Sequence, residues 1–146
     1  MTLLMVVITF VIVIMRYAFD FGWIWLQETV TWMHAAVFML AAAYTLARDE
    51  HVRVDVFYRD FSPEKKALVD ALGAALFVVP VCAFLVWSSW DYVAVSWSIQ
   101  ESSREAGGLV FPFPSVLKTF IPIMALTLML QAFVMLARSI GTLRAS

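Results

Sequence analysis

Four long stretches without a charged residue constrain this chain more than any other feature. They cover residues 1–15, 29–47, 71–90 and 119–137. A helix needs about 20 apolar residues to cross roughly 30 Å of hydrocarbon, whereas barrel strands are shorter and alternate apolar with polar residues. The sequence therefore predicts an all-α integral membrane protein with four transmembrane helices. We expect a single membrane domain over residues 1–146, with spans at about 1–19, 24–47, 67–91 and 115–137.

The amino-acid composition agrees with a membrane environment. Apolar residues make up 63% of the chain and charged residues 14%, whereas soluble globular domains are about 45–50% apolar and about 25% charged. The net charge is −1, and there is no basic run that would release counterions from a nucleic acid, so nucleic acid is not an expected partner. The single cysteine, Cys82, excludes an internal disulfide and a Cys-based metal cage.

The first charge-free stretch is short for a membrane span. Its 15 residues reach only about 22 Å at 1.5 Å per residue, although Arg16 and Tyr17 can extend the span towards Phe19 by snorkelling. We therefore expect further residues before Met1. A cleaved signal peptide is the alternative, and the segment lacks the basic n-region and the small-residue cleavage site that such a peptide needs.

Basic residues predict the orientation. Cytoplasmic loops carry an excess of Lys and Arg, and seven such residues lie in the middle loop and C-terminal tail against three on the opposite side. The middle loop, the C terminus and the N terminus are thus predicted to be cytoplasmic. The seven are Arg48, Arg53, Arg59, Lys65, Lys66, Arg138 and Arg144, and the three are Arg16, Arg104 and Lys118.

The middle loop has a pattern of its own. Its apolar residues Val54, Phe57, Tyr58 and Phe61 share one helical face, which predicts a short interfacial amphipathic helix over about residues 53–61. An ordinary polar connector is the alternative, because valines also alternate there. The following Ser62-Pro63-Glu64 predicts a helix start, with Ser as the cap, Pro in the first turn and Glu complementing the helix dipole.

Polar side chains inside the spans are the candidate functional residues. Glu28 opens the second helix and has two interpretations, an interfacial helix-terminal carboxylate or an ion-coupling acid. Gln27, Thr31 and His34 recur at helical spacing with Ala41 and Thr45, which favours a helix–helix interface. His34 is expected to be a packing residue, because His51 lies beyond the opposite end of the same helix and cannot share a metal or haem with it.

The sequence contains no recognisable catalytic or ligand-binding motif. There is no nucleophile–base pair, phosphate-binding loop or metal motif, so we expect neither an enzyme nor a cofactor. No internal repeat of the kind that builds many transporters is present either.

Several short motifs, in their order and spacing, resemble a known family. The most specific is the His-x-x-Val-Asp element from His51 to Asp55. The others are Arg16-Tyr17, Trp25-Leu26-Gln27-Glu28, Ala41-Ala42-Ala43, and Phe111-Pro112 through Lys118-Thr119-Phe120-Ile121-Pro122. Together they resemble the small membrane subunit of tripartite ATP-independent periplasmic (TRAP) transporters, the DctQ-like family.

The resemblance implies a role and partners. Such subunits lie in the bacterial inner membrane and pair with a large TRAP membrane subunit and, transiently, with a periplasmic substrate-binding protein. The complex imports organic anions, typically carboxylates, with a sodium gradient. The small subunit is expected to widen and anchor the scaffold of the large one.

The candidate interface residues belong to this expected complex. Arg16 and Glu28 end consecutive helices on the same predicted side, so they can pair with each other or with a partner helix. His51, Arg53 and Asp55 lie where the second helix leaves the membrane, a place suited to docking a cytoplasmic edge of the large subunit.

Two other classes of protein remain open from the sequence. One is a self-sufficient four-helix antiporter that works as a dimer and uses Glu28 as its coupling acid. The other is a subunit of a membrane redox complex, which the scarcity of histidines disfavours.

The predicted orientation can be tested with reporter fusions after Lys66 and after Arg144. Both should be active only with a reporter that works in the cytoplasm, because both follow clusters of basic residues. Activity of a periplasmic reporter at either point would contradict the orientation.

Overall fold

The computed structural model describes residues 1–48 and 58–145. Helix α1 spans Thr2–Phe19, α2 spans Ile24–Ala47, α3 spans Pro63–Ser98 and α4 spans Phe113–Ala145. Each of the four helices is long and apolar enough to cross a membrane, and the described residues contain no strand. The predicted all-α fold with four membrane-spanning helices is therefore confirmed, whereas the orientation of the termini stays a prediction.

A tight turn joins α1 to α2. Asp20 ends α1 in the left-handed conformation, with φ at 52°, and its N–H bonds to the carbonyl of Met15. The Phe21 N–H bonds to the same carbonyl at 3.1 Å. Because α2 begins only a few residues later, this turn brings the end of α1 beside the start of α2.

The start of α3 follows the sequence prediction. The Ser62 side chain accepts a hydrogen bond from the Lys65 N–H at 3.4 Å, Pro63 occupies the first turn and Glu64 is the acidic residue there. The predicted cap is thus confirmed. The helix ends later than the predicted span, because Asp91 ends the apolar stretch but does not interrupt the backbone hydrogen bonds, which continue to Ser98.

Small residues form the buried face of α3. They are Ala67, Ala74, Cys82, Ser89 and Ser96. Successive members are seven residues apart except between Ala74 and Cys82, where the spacing is eight. The π-helical turn Ala74–Val78 lies in that interval. A π turn holds one residue more than an α turn, so it absorbs the extra residue and keeps Cys82 on the buried face.

Large apolar side chains lie mainly on the surface. Phe84 is 63% exposed, Trp87 81% and Leu130 63%, whereas Ala125 and Ala132 of α4 are fully buried. Small residues let helix backbones approach closely, which is how helices pack where the surroundings are as apolar as the side chains. The distribution is therefore that of a protein surrounded by lipid.

The chain folds into two compact units. The first comprises Met1–Leu40 and Ser89–Ile121, and it contains every residue of the site described below. The second comprises Ala41–Ser88 and Pro122–Ser146. In the second unit the Tyr58 hydroxyl donates to the Asp70 carboxylate at 2.9 Å. The predicted interfacial helix over about 53–61 lies mostly outside the described residues.

Candidate functional site

The carboxylate of Glu28, in the first turns of α2, is bound to the connection between α3 and α4. Ser103 Oγ donates to one carboxylate oxygen, and the Leu109 N–H donates to the other at 2.7 Å. An ionised carboxylate only accepts hydrogen bonds, so each oxygen meets a donor from the connection. Glu28 therefore ties the start of α2 to a segment distant in sequence.

The backbone of α2 takes part in the same attachment. The Trp25 N–H donates to the Gly107 carbonyl at 3.1 Å. The first N–H groups of a helix lack partners within the helix, and the connection supplies one for Trp25. Ser103 Oγ also accepts the Glu105 N–H at 3.2 Å, so its own proton is left to bond Glu28.

Two glycines let the connection come this close. Gly107 has a φ of 83°, in the left-handed region that favours glycine. A Cβ on Gly108 would lie 2.5 Å from Ser103 Oγ, 2.6 Å from Ser103 Cβ and 2.8 Å from a Glu28 carboxylate oxygen. Any side chain at Gly108 would therefore push Ser103 and Glu28 apart.

Local hydrogen bonds fix the rest of the connection. The Ser103 N–H donates to the Leu109 carbonyl at 2.7 Å, and the Gly108 N–H to the Glu105 carbonyl at 3.0 Å. The Phe111 N–H donates to Ser102 Oγ at 3.1 Å. The connection is thus an ordered loop that presents its donors to Glu28.

An ion pair joins Glu101 of this loop to Lys118 of α4. The Lys118 ammonium donates to the Glu101 carboxylate and lies 4.1 Å from the centroid of the Tyr92 ring. Ser96 and Ser115, both buried, share a hydrogen bond of 3.0 Å. The hydrogen bond from Lys118, with a further one from Ser96, holds the pKa of the Glu101 carboxyl below its ordinary value.

A mainly apolar cavity of about 250 Å³ lies next to Glu28. Trp32 closes one side, and its indole N–H donates to the Phe113 carbonyl at 3.1 Å. The cavity is lined by Glu28, Thr31, Trp32, Ser103, Leu109, Pro114 and Leu117. Because Ser103 and Leu109 already bond the Glu28 carboxylate, this cavity offers a ligand little free polar chemistry.

Two further cavities lie along the line where α1 meets α2, which we call the α1–α2 seam. One, of about 480 Å³, is lined by Thr2, Met5, Val6, Thr9, Val30, Thr31 and His34. The other, of about 310 Å³, is lined by Arg16, Asp20, Phe21, Gly22, Ile24 and Gln27. Arg16, Thr31 and His34 are exposed and Gln27 is half-buried.

The structure thus separates the residues singled out from the sequence. Arg16, Gln27, Thr31 and His34 all line the seam, whereas Glu28 points its carboxylate to Ser103 and Leu109. Within residues 1–48 and 58–145, Arg16 forms no ion pair with Glu28 or any other residue. His51, Arg53 and Asp55 lie outside the described residues.

Other parts of the site were not foreseen from the sequence. Ser103, the Leu109 N–H and Gly108 complete the Glu28 attachment, and Glu101 pairs with Lys118. Two consecutive glycines such as Gly107 and Gly108 favour a break in a helix, but nothing in them indicates which residue the loop contacts. In the described part of the chain, no three His, Cys, Asp or Glu side chains lie close enough to hold a metal ion.

Comparison with known proteins identifies similar sequences. A family profile described as "Tripartite ATP-independent periplasmic transporters, DctQ component" matches residues 5–142. The chain is also 31% identical over 88 residues to the "C4-dicarboxylate TRAP transporter small permease protein DctQ" of Vibrio cholerae serotype O1. That alignment covers 60% of this chain and 38% of the length of the relative.

The attachment of Glu28 can be tested by substitution. Glu28→Ala removes both acceptors and should destabilise the protein by about 1–3 kcal/mol. Glu28→Gln should cost less, because the amide oxygen can still accept from Leu109 and Ser103 can turn to accept from the amide. Gly108→Ala should lower the unfolding temperature in detergent through the clash with Ser103.

Gly141→Ala is the matched control, because nothing lies within 4 Å of a Cβ at Gly141. It should leave the unfolding temperature unchanged or raise it. Equal unfolding temperatures for Gly108→Ala and Gly141→Ala would contradict the close approach described above.

The Glu101–Lys118 pair predicts a pH dependence. Since the pKa of Glu101 is lowered in the folded state, its contribution to stability is complete above the ordinary carboxyl pKa of about 4.3. It is lost as the pH falls through the lowered pKa. The unfolding temperature of Glu101→Gln should therefore fall less between pH 7 and pH 3 than that of the unchanged protein. Exposed Glu105 is the control, and Glu105→Gln should keep the full acid sensitivity. The prediction is wrong if both variants respond to acid alike.

Proposed function

This chain belongs to the DctQ-component family of tripartite ATP-independent periplasmic transporters, and from that premise we propose that it is the small permease subunit of a sodium-driven importer of organic anions. It works in the bacterial inner membrane beside a large membrane subunit. A periplasmic substrate-binding protein delivers the substrate to the assembled complex. The observation that carries the proposal is the family match over residues 5–142.

The proposed substrate class is a carboxylate. Support comes from the Vibrio cholerae relative, whose name assigns it to a C4-dicarboxylate transporter. Specificity in this account belongs to the other two components, because the described cavities offer no cluster of free cationic side chains for a carboxylate. The small subunit contributes to transport without binding the substrate.

The proposed role is to widen and anchor the scaffold of the large subunit. The contacts of Glu28 support it, because this carboxylate in the first turns of α2 holds a loop of the same chain. Both oxygens of the Glu28 carboxylate accept from groups of the same chain, which supports a structural role over ion coupling. Arg16, His51, Arg53 and Asp55 are proposed to contact the large subunit, the last three at its cytoplasmic edge.

The self-sufficient antiporter gains no support. That alternative uses Glu28 as its coupling acid, but both Glu28 oxygens already accept hydrogen bonds from the α3–α4 connection. The family that matches is that of a transporter component, which likewise favours an accessory role over catalysis.

The accessory role can be tested in liposomes under an inward sodium gradient. The chain alone should accumulate neither C4-dicarboxylates nor oxoacids. Addition of a large permease and a binding protein of the same transporter family should give uptake that depends on sodium. A liposome preparation with the large permease and binding protein but without this chain is the control, and it should show strongly reduced uptake. Sodium-driven accumulation by this chain alone would refute the accessory role.

A further inference from the structure

The α1–α2 seam presents a polar side chain halfway along a membrane-spanning helix. His34 is the eleventh residue of α2, which has 24 residues, so it lies about 15 Å along the helix from its start. Its side chain is exposed. Within residues 1–48 and 58–145 its imidazole has no hydrogen-bond partner.

Hydrocarbon cannot satisfy this imidazole. A neutral imidazole has one donor and one acceptor nitrogen, and polar groups at membrane depth need partners from protein or water. Two neighbouring hydroxyls have partners, since Thr31 donates to the Gln27 carbonyl at 3.3 Å and Thr9 to the Met5 carbonyl at 2.8 Å. His34 thus requires a partner from outside the described residues.

A cation lies at the other end of the seam. Arg16 is exposed in the cavity that Gln27 also lines, and it forms no ion pair with any described residue, Asp20 in the same cavity included. Gln27 and His34 are seven residues apart on one face of α2, a separation of two helical turns or about 10.5 Å. A partner that satisfies both groups would therefore place a carboxylate near Arg16 and a hydrogen-bonding group about two turns away, near His34.

We propose that the α1–α2 seam is the docking surface for one transmembrane helix of the large membrane subunit. That helix carries a carboxylate opposite Arg16 and a hydrogen-bonding side chain opposite His34, two turns apart. The inference rests on the proposed function, since it identifies which face of this chain the large subunit contacts. The small side chains Thr2 and Thr9 in the lining of the 480 Å³ cavity allow the close approach that helices in membranes use.

The polar groups of the seam disfavour the other occupants. A lipid acyl chain offers nothing to His34. A second copy of this chain, related by a two-fold axis along the membrane normal, would bring the same residues together at the same depth. It would set Arg16 against Arg16, and like charges in such a contact are repulsive. A helix of different sequence avoids both problems.

Photo-crosslinking in membranes that contain the co-expressed large subunit tests the proposal. Benzoylphenylalanine replaces Val6 and, separately, Thr31 in the seam, with Phe84 and Leu130 as control positions. The controls are matched in exposure, because Val6 is 60% exposed and Phe84 and Leu130 are each 63% exposed. The seam positions should crosslink to the large subunit at least fivefold more than the controls. Crosslinks to a second copy or to lipid alone, or to the large subunit from the control positions alone, would overturn it.

Substitution separates packing from charge. Arg16→Glu should reduce the amount of large subunit that co-purifies at least fivefold. His34→Leu should reduce it at least twofold, and His34→Gln should restore it because Gln keeps a donor and an acceptor. Phe84→Leu is the control and should change nothing. Each variant alone should elute in size-exclusion chromatography at the same volume as the unchanged chain, which confirms that it folds.

The outcomes distinguish the two proposals. If the unchanged chain co-purifies with the large subunit and the seam variants do so equally well, the seam is not the docking surface and the proposed function stands. If the unchanged chain itself does not co-purify with the large subunit, the proposed function fails and the docking proposal fails with it.

Discussion

The first unit of this protein depends on a carboxylate that accepts two hydrogen bonds from a loop distant in sequence. Glu28 accepts hydrogen bonds from the Ser103 hydroxyl and the Leu109 N–H, and the Gly107 carbonyl accepts one from the Trp25 N–H. The loop can reach α2 only because Gly108 has no side chain. A carboxylate is well suited to this task, because it accepts from two donors at once and charged hydrogen bonds are stronger than neutral ones.

Helix α2 uses neighbouring residues for different purposes. Successive residues of a helix point about 100° apart, so Gln27 and Glu28 face different surroundings. Glu28 and Trp32, four residues apart, contact the α3–α4 connection and the start of α4. Gln27, Thr31 and His34 line the seam. In the proposed complex the first face keeps the subunit rigid, and the second face is free for a partner.

The sequence predicts the parts of this structure that depend on local pattern. Charge-free length predicted the four helices, and Ser62-Pro63-Glu64 predicted the start of α3, because hydropathy and capping act within a few residues. It could not predict that Glu28 would meet Ser103 and Leu109, which are 75 and 81 residues away. The π-helical turn could not be predicted from the sequence either, because the extra residue between Ala74 and Cys82 is recognised only once the buried positions are known. Arg16 and Glu28 were expected to pair with each other or with a partner helix; Arg16 lines a cavity with Gln27, whereas both Glu28 oxygens accept hydrogen bonds from the α3–α4 connection.

The central claim is that Glu28 serves structure and does not couple ions to transport. Glu28→Gln tests it most directly, because it removes the charge while it keeps the shape and part of the hydrogen bonding. The quantity to measure is sodium-driven uptake divided by the amount of assembled complex, with Gly108→Ala as a variant that disturbs the same attachment without changing a charge. The account predicts that uptake per complex stays close to that of the unchanged protein in both variants, even where less complex assembles. Loss of uptake in Glu28→Gln with assembly intact would contradict it and would make Glu28 a coupling residue.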